Sequence, residues 1–507
     1  MTDEHADVVI AGAGPNGLLL ACELALAGIR PVVLDQLPGP SAEPKANGLV
    51  GQVVRALDMR GLYRAFTGDE DPPRPVPGGR FAAMTLNFLD VPDNPMYMLR
   101  MPQPRLVRLL EKRARDLGVD LRWGHTVVDV QPGPESVALQ ISSPERDYVV
   151  AAEYVVGADG GHSLVRKTLG IDFPGSTAPT VSRIAHVHIP DQMHRPDGSI
   201  DIPGFGTLPF GHTRLDRGGI IYAEFEPGRS LLGTIEFCPP VAEVPMSLAE
   251  LRDSANRILG VDLSFEEPIG TGPHALRRIN GQNTRIAQRY RDGRVFLLGD
   301  AAHVHSPLGG PGLNLGLQDT MNLGWKLAAH INGTAPAGLL DTYQSERYPV
   351  GQRVMMHSLS QTALMAPGPE VTALRTLFGE MFTVPEVQKR MAALLAGSDV
   401  TYDVGDDHPL SGRLVPDLTL DDGRRIAELL HDARPVLLDL DGSAGPALHG
   451  WTDRVDTVSA SMADRPAAGL LIRPDGYIAW AADTFGPAEE AGLRAGLQRW
   501  FGDPRAK

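Results

Sequence analysis

Six residues near the start of the chain constrain it most: Gly12-Ala13-Gly14-Pro15-Asn16-Gly17. Residues 7–11 before them form a short β-branched run, of the kind a buried parallel strand uses. Residues 18–27 after them carry a helical apolar pattern that stops at Gly28, a residue suited to the left-handed position beyond a helix end. Residues 31–34 then read as a second strand. A glycine turn that follows a strand and opens a helix has a physical reading at each position. Gly12 permits the tight turn, Gly14 lets backbone approach a pyrophosphate, and Gly17 lets helix and strand pack closely. Pro15 and Asn16 sit at the helix start, where free N–H groups face phosphate. Asp35, followed by Gln36, ends the second strand 18 residues beyond Gly17, where a carboxylate accepts from a ribose hydroxyl. The plainer alternative is a glycine turn with Asp35 a solvated strand end. The complete strand–turn–helix–strand context favours dinucleotide binding.

The turn does not say which dinucleotide, and two later segments do. Val155-Val156-Gly157-Ala158-Asp159-Gly160-Gly161-His162-Ser163 leads to Arg166, and Phe296-Leu297-Leu298-Gly299-Asp300 is a hydrophobic strand ending in Gly-Asp. A carboxylate at the C-terminal edge of a strand faces the ligand crevice of an α/β sheet. Asp300 is placed to bind a hydroxylated chain such as the ribityl of FAD. Pro307, Gly309, Gly310, Gly312 and Asn314 follow, then a helix over 315–331. Such glycines let backbone approach a flat ring, and the helix N-terminus directs partial positive charge at it. Taken singly, Asp159 and Asp300 read as turn or cap carboxylates; their order and spacing together favour the flavin.

The remaining pattern divides the chain. A helix is expected over 105–117 and strands over 127–130, 137–141 and 148–156. From 171 to 288 short alternating runs such as 220–225 and 232–237 predict an antiparallel sheet, joined by apolar residues from 75–100. The first domain (1–170) resumes over 289–395. An Asp-, Gly- and Ser-rich stretch over 397–412 reads as a linker before a last domain over 405–507, with strands at 435–440 and 469–480 and a closing helix over 487–501. The chain carries 62 acidic and 47 basic side chains, a net charge of -15, which argues against nucleic acid or an anionic membrane as partner. The apolar stretch 18–34 is interrupted by Glu23 and Arg30, and Met1-Thr2-Asp3-Glu4 lacks the basic region of a signal peptide. Two distant cysteines, Cys22 and Cys238, offer neither a CxxC pair nor a thiolate metal site and suit a reducing cytoplasm.

At this point the sequence resembles the class A flavoprotein monooxygenases, the para-hydroxybenzoate and phenol hydroxylase group. The matching segments are GAGPNG at 12–17, DGGHSLVR at 159–166, GDAAHVHSPLGGPGLNLGLQDTMNLGWKLA at 299–328, and Tyr343 with Glu346-Arg347-Tyr348-Pro349. They cover about residues 5–350, and the nearest subgroup is the actinobacterial hydroxylases of polyketides and antibiotics such as angucyclines and rifamycins. The tail, with Leu-Ile-Arg-Pro-Asp-Gly-Tyr-Ile-Ala-Trp at 471–480, resembles the thioredoxin-like C-terminal domain of the longer members and has no CxxC, which implies a structural or dimerising role. The resemblance implies an α/β fold: a Rossmann-like FAD-binding domain, an inserted antiparallel β-sheet substrate domain and a C-terminal thioredoxin-like domain. It implies bound FAD reduced by NADPH or NADH, reaction with molecular oxygen to a C4a-hydroperoxide, and oxygen transfer to an aromatic or polyketide substrate by a monomer or homodimer. Residue by residue, Gln103 matches a flavin-side glutamine, Val127 a backbone contact to adenine, Asp300 the ribityl or pyrophosphate aspartate, and Leu313 and Asn314 backbone contacts to the flavin pyrimidine. Asp35 stands where most members have Glu. Lys45, in Pro44-Lys45-Ala46-Asn47-Gly48-Leu49, replaces an arginine near the flavin and cannot give a bidentate planar contact.

The substrate side is less explicit. Phe81, Met84, Phe88, Met96, Tyr97, Met98, Phe205, Phe210, Tyr222 and Phe225 could line an apolar pocket, or serve as ordinary core. His186 and His188 share a strand face without a third metal ligand. His303 and His305 belong to the flavin-loop motif. His212 and Tyr222 are the candidates for a phenol-activating base. Baeyer–Villiger insertion and a relative that binds flavin or an intermediate without turnover are the alternatives. A halogenase is disfavoured because Trp123, Trp325, Trp451, Trp480 and Trp500 are isolated, with no Trp-x-Trp-x-Ile segment.

Overall fold

A computed structural model describes residues 4–43, 45–242, 244–266 and 276–505, the side chains of Glu226, Gly445 and Pro446 excepted; Pro44 of the Lys45 segment lies outside the described residues. The first sheet has five parallel strands in the order Val295–Leu297, Tyr148–Gly157, Glu4–Ala11, Pro31–Asp35, Asp120–Trp123. Val8, Val9, Ile10, Val155, Val156 and Phe296 are all fully buried, the signature of strands covered on both faces. Because the strands run parallel, Gly12, Asp35, Asp159 and Asp300 all leave the sheet at one edge. Antiparallel strands Thr126–Pro132 and Val137–Ser142 extend it beside Tyr148–Gly157.

The second sheet is antiparallel, in the order Gly211–Leu215, Gly218–Glu226, Arg229–Glu236, Gly175–Val187, Leu276–Ile286, His303–Val304. Its sixth strand comes from beyond residue 288, out of the flavin-loop motif itself. That strand joins the two sheets through the chain that follows Asp300. One face is packed by the helix Leu248–Leu259 against Ala185, Val187, Ile220, Tyr222 and Leu232. The hairpin Gly78–Phe81 and Met84–Asn87 stands over the other face, in one apolar cluster with Leu308, Ile235, Met365 and Phe382.

The long helix Pro311–Ile331 starts four residues before the apolar pattern at 315, because Pro311 takes the first helical position, where its missing N–H costs nothing. The helix Asp341–Met365 packs along it. The C-terminal domain is a four-stranded mixed sheet, Asp456–Ser459, Val436–Asp439, Gly469–Ile472, Ile478–Ala482, with Pro487–Phe501 on one face, where Gly492 and Gly496 leave room for Trp480. The stretch expected to be a linker is irregular but not free. Tyr402 and Val404 are buried in it, and Tyr402 stacks on Tyr477 at 4.3 Å. A composition of short polar residues hides two anchors.

The dimerising role expected of the tail has a counterpart inside the chain. Arg473, fully buried, donates to Glu346 at 2.6 and 2.9 Å and to Asp475, while Lys326 reaches Glu346 at 2.7 Å. Arg60 adds donations to Glu23 at 2.8 Å, Pro474 O at 2.7 Å and Leu430 O at 2.9 Å. A charge network without water must be complete to be tolerated, so the last domain is docked as part of one interior.

Candidate flavin and substrate site

The glycine turn divides into packing and ligand-facing positions. Gly12 lies at φ +110°, and a Cβ there would collide with Ala158 O; one at Gly17 would collide with Gly12 O. Nothing lies within 4 Å of a Cβ at Gly14, so that position opens the helix N-terminus to the crevice. Asp35 accepts from Ala13 N–H at 2.8 Å and Leu37 N–H at 2.9 Å, bracing the turn from the neighbouring strand. Asn16 reaches across to Gly299 and Gly316, each of which must be glycine to clear its side-chain amide, and its Oδ1 is buried without a partner. Gln36 is exposed beside Asp35, and Val127 is half-buried at a bulge in its strand.

Asp159 is placed differently from the sequence expectation. Its Oδ2 accepts from Leu164 and Val165 N–H at 2.7 and 3.1 Å, capping the short helix Leu164–Thr168. The cap reading therefore holds for one oxygen, while Oδ1 is buried and unpaired. Arg166 from the same motif donates to Ala301 O at 2.9 Å and Gly161 O at 3.0 Å. It clamps the Gly299–Ala301 turn, and that turn presents Asp300 exposed at the sheet edge.

The glycines after Pro307 also have local reasons. Gly309 and Gly310 lie at φ +80° and +67°, a left-handed turn that glycine adopts without strain. Gly312 is helical, with His305 Cε1 3.3 Å from where a Cβ would sit. Ring approach is thus not needed to explain Gly309 and Gly310. The side chain of Asn314, expected only as a backbone contact, donates to Gly310 O at 2.7 Å and accepts from Val50 N–H at 2.9 Å. It fixes the helix N-terminus to the strand Gly48–Val50, next to half-buried Leu313. His303 meets Asp319 at 2.6 Å, and Asp319 accepts from Arg347 at 2.7 Å. Burial pushes the Asp319 carboxyl upward, but Arg347 and His303 beside it outweigh that and hold it below its usual range. Arg347 continues to Tyr402 Oη at 2.9 Å, so the former linker touches the support of the flavin loop.

Opposite, Gln103 opens the helix Gln103–Asp116 and donates its N–H to Ala46 O at 2.8 Å. Lys45 is largely exposed and lies 3.4 Å from Glu43, which also pairs with Arg277 at 2.8 Å. That ion pair reaches the second sheet, where pairing register aligns His212, Ile221, Gly233, Ile184 and Arg277 in one row. Directly paired residues share a face, so this row lies away from the Leu248–Leu259 helix. Ile184 and Ile221 are half-buried and close over buried Gly233, their side chains 3.3 and 3.4 Å from where its Cβ would sit. Tyr222 falls on the other face, 1% exposed in the core beneath that helix, which removes it as a base for anything on the row. His212 stays on the row, and burial, with Arg80 adding to it, pushes its imidazole down to about 4, neutral at ordinary pH. Sequence reasoning missed Arg277, and it met Asp319 and Arg347 inside the matching segments without assigning them a role, because only the register and the docked helices bring them to the site.

The geometry fits a phosphate-bearing dinucleotide: an open helix N-terminus at Gly14, unpaired buried oxygens on Asn16 and Asp159, and a free carboxylate at Asp300 along one sheet edge. Residues 5–358 match the family described as FAD binding domain, and residues 408–504 match aromatic-ring hydroxylase, C-terminal. The chain belongs to this family of FAD-dependent aromatic-ring hydroxylases. A 12-dehydrotetracycline 5-monooxygenase/anhydrotetracycline 6-monooxygenase of Streptomyces rimosus is 41% identical, over 98% of this chain and 99% of its own. A dialkyldecalin synthase of Streptomyces rugosporus is 35% identical over 98% of each. The solved structure of CabE, an aromatic hydroxylase from angucycline biosynthesis, superposes with a TM-score of 0.86 at 36% identity, covering 99% of this chain and 100% of that one. This chain is an FAD-dependent, NAD(P)H-consuming monooxygenase. Among the described residues, no helix is long and apolar enough to cross a membrane.

Proposed function

We propose that the substrate is a planar polycyclic phenol of the aromatic polyketide type and that the reaction is hydroxylation of one of its rings. The observation that carries this is the row on the second sheet: Ile184 and Ile221 close over Gly233, with His212 and Arg277 at the ends. Neighbouring strands lie about 4.8 Å apart, so the two polar ends stand roughly 19 Å apart across four strand steps. That span suits a flat, fused ring system with polar groups at both ends. His212, held neutral, accepts a hydrogen bond from a phenol hydroxyl, and Arg277 holds an anionic oxygen. The relatives named for tetracycline intermediates and for angucycline biosynthesis support that substrate class.

Bound FAD, once reduced, supplies the activation of dioxygen. Gly12, Gly14, Pro15, Asn16 and Gly17 would hold its pyrophosphate, Asp35, Gln36 and Val127 its adenosine end, and Asp159 and Asp300 the centre of its chain. Pro307, Gly312, Leu313, Asn314, Gln103 and Lys45 would hold its ring. Molecular oxygen is the co-substrate, and every residue in this reading comes from one chain. Free cysteines at 22 and 238 suit a cytoplasmic setting. The relative named a synthase favours a second reading, in which the chain holds flavin and substrate without oxygen transfer. A panel of polycyclic phenols tests both. Stimulated NADPH oxidation with product 16 mass units heavier (about one oxygen, carbon skeleton intact) supports hydroxylation. A ring-expanded lactone assigns Baeyer–Villiger insertion instead, and no stimulation by any phenol contradicts the first reading.

A further inference from the structure

The tip of the hairpin over the row is unusual. Phe81 pairs with Met84, so Ala82 and Ala83 form a two-residue turn, at φ +49° and +64°. Such turns strongly prefer Asn-Gly, because side chains resist left-handed backbone at both positions. Two alanines stay there only where surrounding groups hold the backbone. The helix Asp341–Met365 supplies one such group. Gln361 Oε1 accepts from Ala82 N–H at 3.1 Å. Arg375, on the helix Pro369–Met381, donates to Ala82 O at 2.6 Å. The other end of the same Gln361 amide donates to Leu308 O at 3.3 Å, inside the turn between Pro307 and Gly310. Gln361, Ala82 and Leu308 are each at most 3% exposed, so water does not compete for these bonds. The Gln361 amide also packs at 2.9 Å from where a Cβ at Gly309 would sit, which ties its position to that glycine.

We propose that Gln361 is a positioning residue that sets two walls of the site at once: the hairpin over the substrate row and the loop facing the flavin ring. This rests on the reading that residues 305–312 face the flavin. Displacement of the hairpin by substrate pulls on one side of the amide, and the other side transmits the change to Leu308 and the turn behind it. No local pattern in the sequence marks this glutamine, which lies on a helix outside the motifs.

The test uses Gln361→Met, which removes both bonds, and Gln361→Glu, which is isosteric, keeps the acceptor for Ala82 N–H and removes the donor to Leu308 O. Amide hydrogen exchange is followed in the FAD-loaded proteins over residues 80–86 and 305–310, beside product formed per NADPH oxidised. The Met variant is expected to lose protection in both segments, and the Glu variant in the second alone. Product per NADPH falls roughly fivefold in the Glu variant, the population shift of about one lost buried hydrogen bond, and further in the Met variant, which loses two, with FAD content unchanged. Wild-type protection over 305–310 in either variant, or wild-type product yield in both, overturns the proposal. A wild-type protein that forms no product with any phenol strikes at the functional reading instead, and the exchange pattern still decides the role of Gln361.

Discussion

Asp300 is the residue that tests the proposed cofactor site. Its carboxylate is exposed at the sheet edge, and the turn that carries it is clamped by Arg166. Asp300→Ala should weaken FAD binding by about 1–3 kcal/mol, the loss of one charge-assisted hydrogen bond, read by titration of apoprotein with FAD. Retention equal to wild type would place the ribityl chain elsewhere. His357 provides a pH signature. Burial, with His305 nearby adding to it, pushes its imidazole from 6.5 down to about 4. Between those values the unfolded chain binds the proton and the folded one resists it, so stability falls as pH drops through that window. His357→Gln should flatten the change in unfolding free energy, read by urea denaturation between about pH 6.5 and 4, by about 1–3 kcal/mol, and an unchanged slope would assign the effect to other groups. At this scale the sequence was readable where backbone geometry alone fixes the residue, as at Gly12 and Gly17. It was unreadable for Asp159, because a helix cap and a ligand contact call for the same carboxylate, and the structure uses one oxygen as the cap and leaves the other unpaired.

The helices Pro15–Leu26 and Pro311–Ile331 pack closely, Glu23 against Gly324 at one end and Asn16 against Gly316 at the other. Asn16 is inserted against Gly299 and Gly316, and the Thr320 hydroxyl donates to Asn16 O at 3.3 Å. Gly316→Ala should therefore force the helices apart at a cost of about 1–3 kcal/mol, measured as a lower denaturation midpoint of the apoprotein. Asn16→Ala in the same chain should recover most of that loss, since the clash needs both side chains; additive effects would show that the two do not meet. Elements with a strong period were legible from residues alone, among them the closing helix Pro487–Phe501 and the strand Pro31–Asp35. The early start of the Pro311 helix was not, because glycine and proline there read as loop until the cap geometry is known. The stretch over 397–412 misled for the opposite reason: its polar majority outweighed Tyr402 and Val404, which do the packing.

Across the whole molecule, the C-terminal domain and the flavin domain share a dry ionic interior around Glu346, Arg473, Asp475 and Lys326. Arg473→Met should cost about 3–5 kcal/mol in urea denaturation, since it strands two buried carboxylates, and it should do so at any protein concentration. A loss that appears only on dilution would instead assign the tail to a subunit contact. Removal of the domain is expected to give insoluble protein rather than a working flavin domain. The FAD-binding domain was legible in the glycine turn and the segments that end in Asp159 and Asp300; the register that builds the substrate row, and the network that docks the tail, depend on contacts far apart in sequence. The central claim is oxygen transfer to a polycyclic phenol. Turnover under oxygen-18 gas, with FAD-loaded protein, NADPH and a phenol from the panel, tests it most directly. One labelled oxygen atom in each product molecule is the predicted result, and product that forms without label would contradict it.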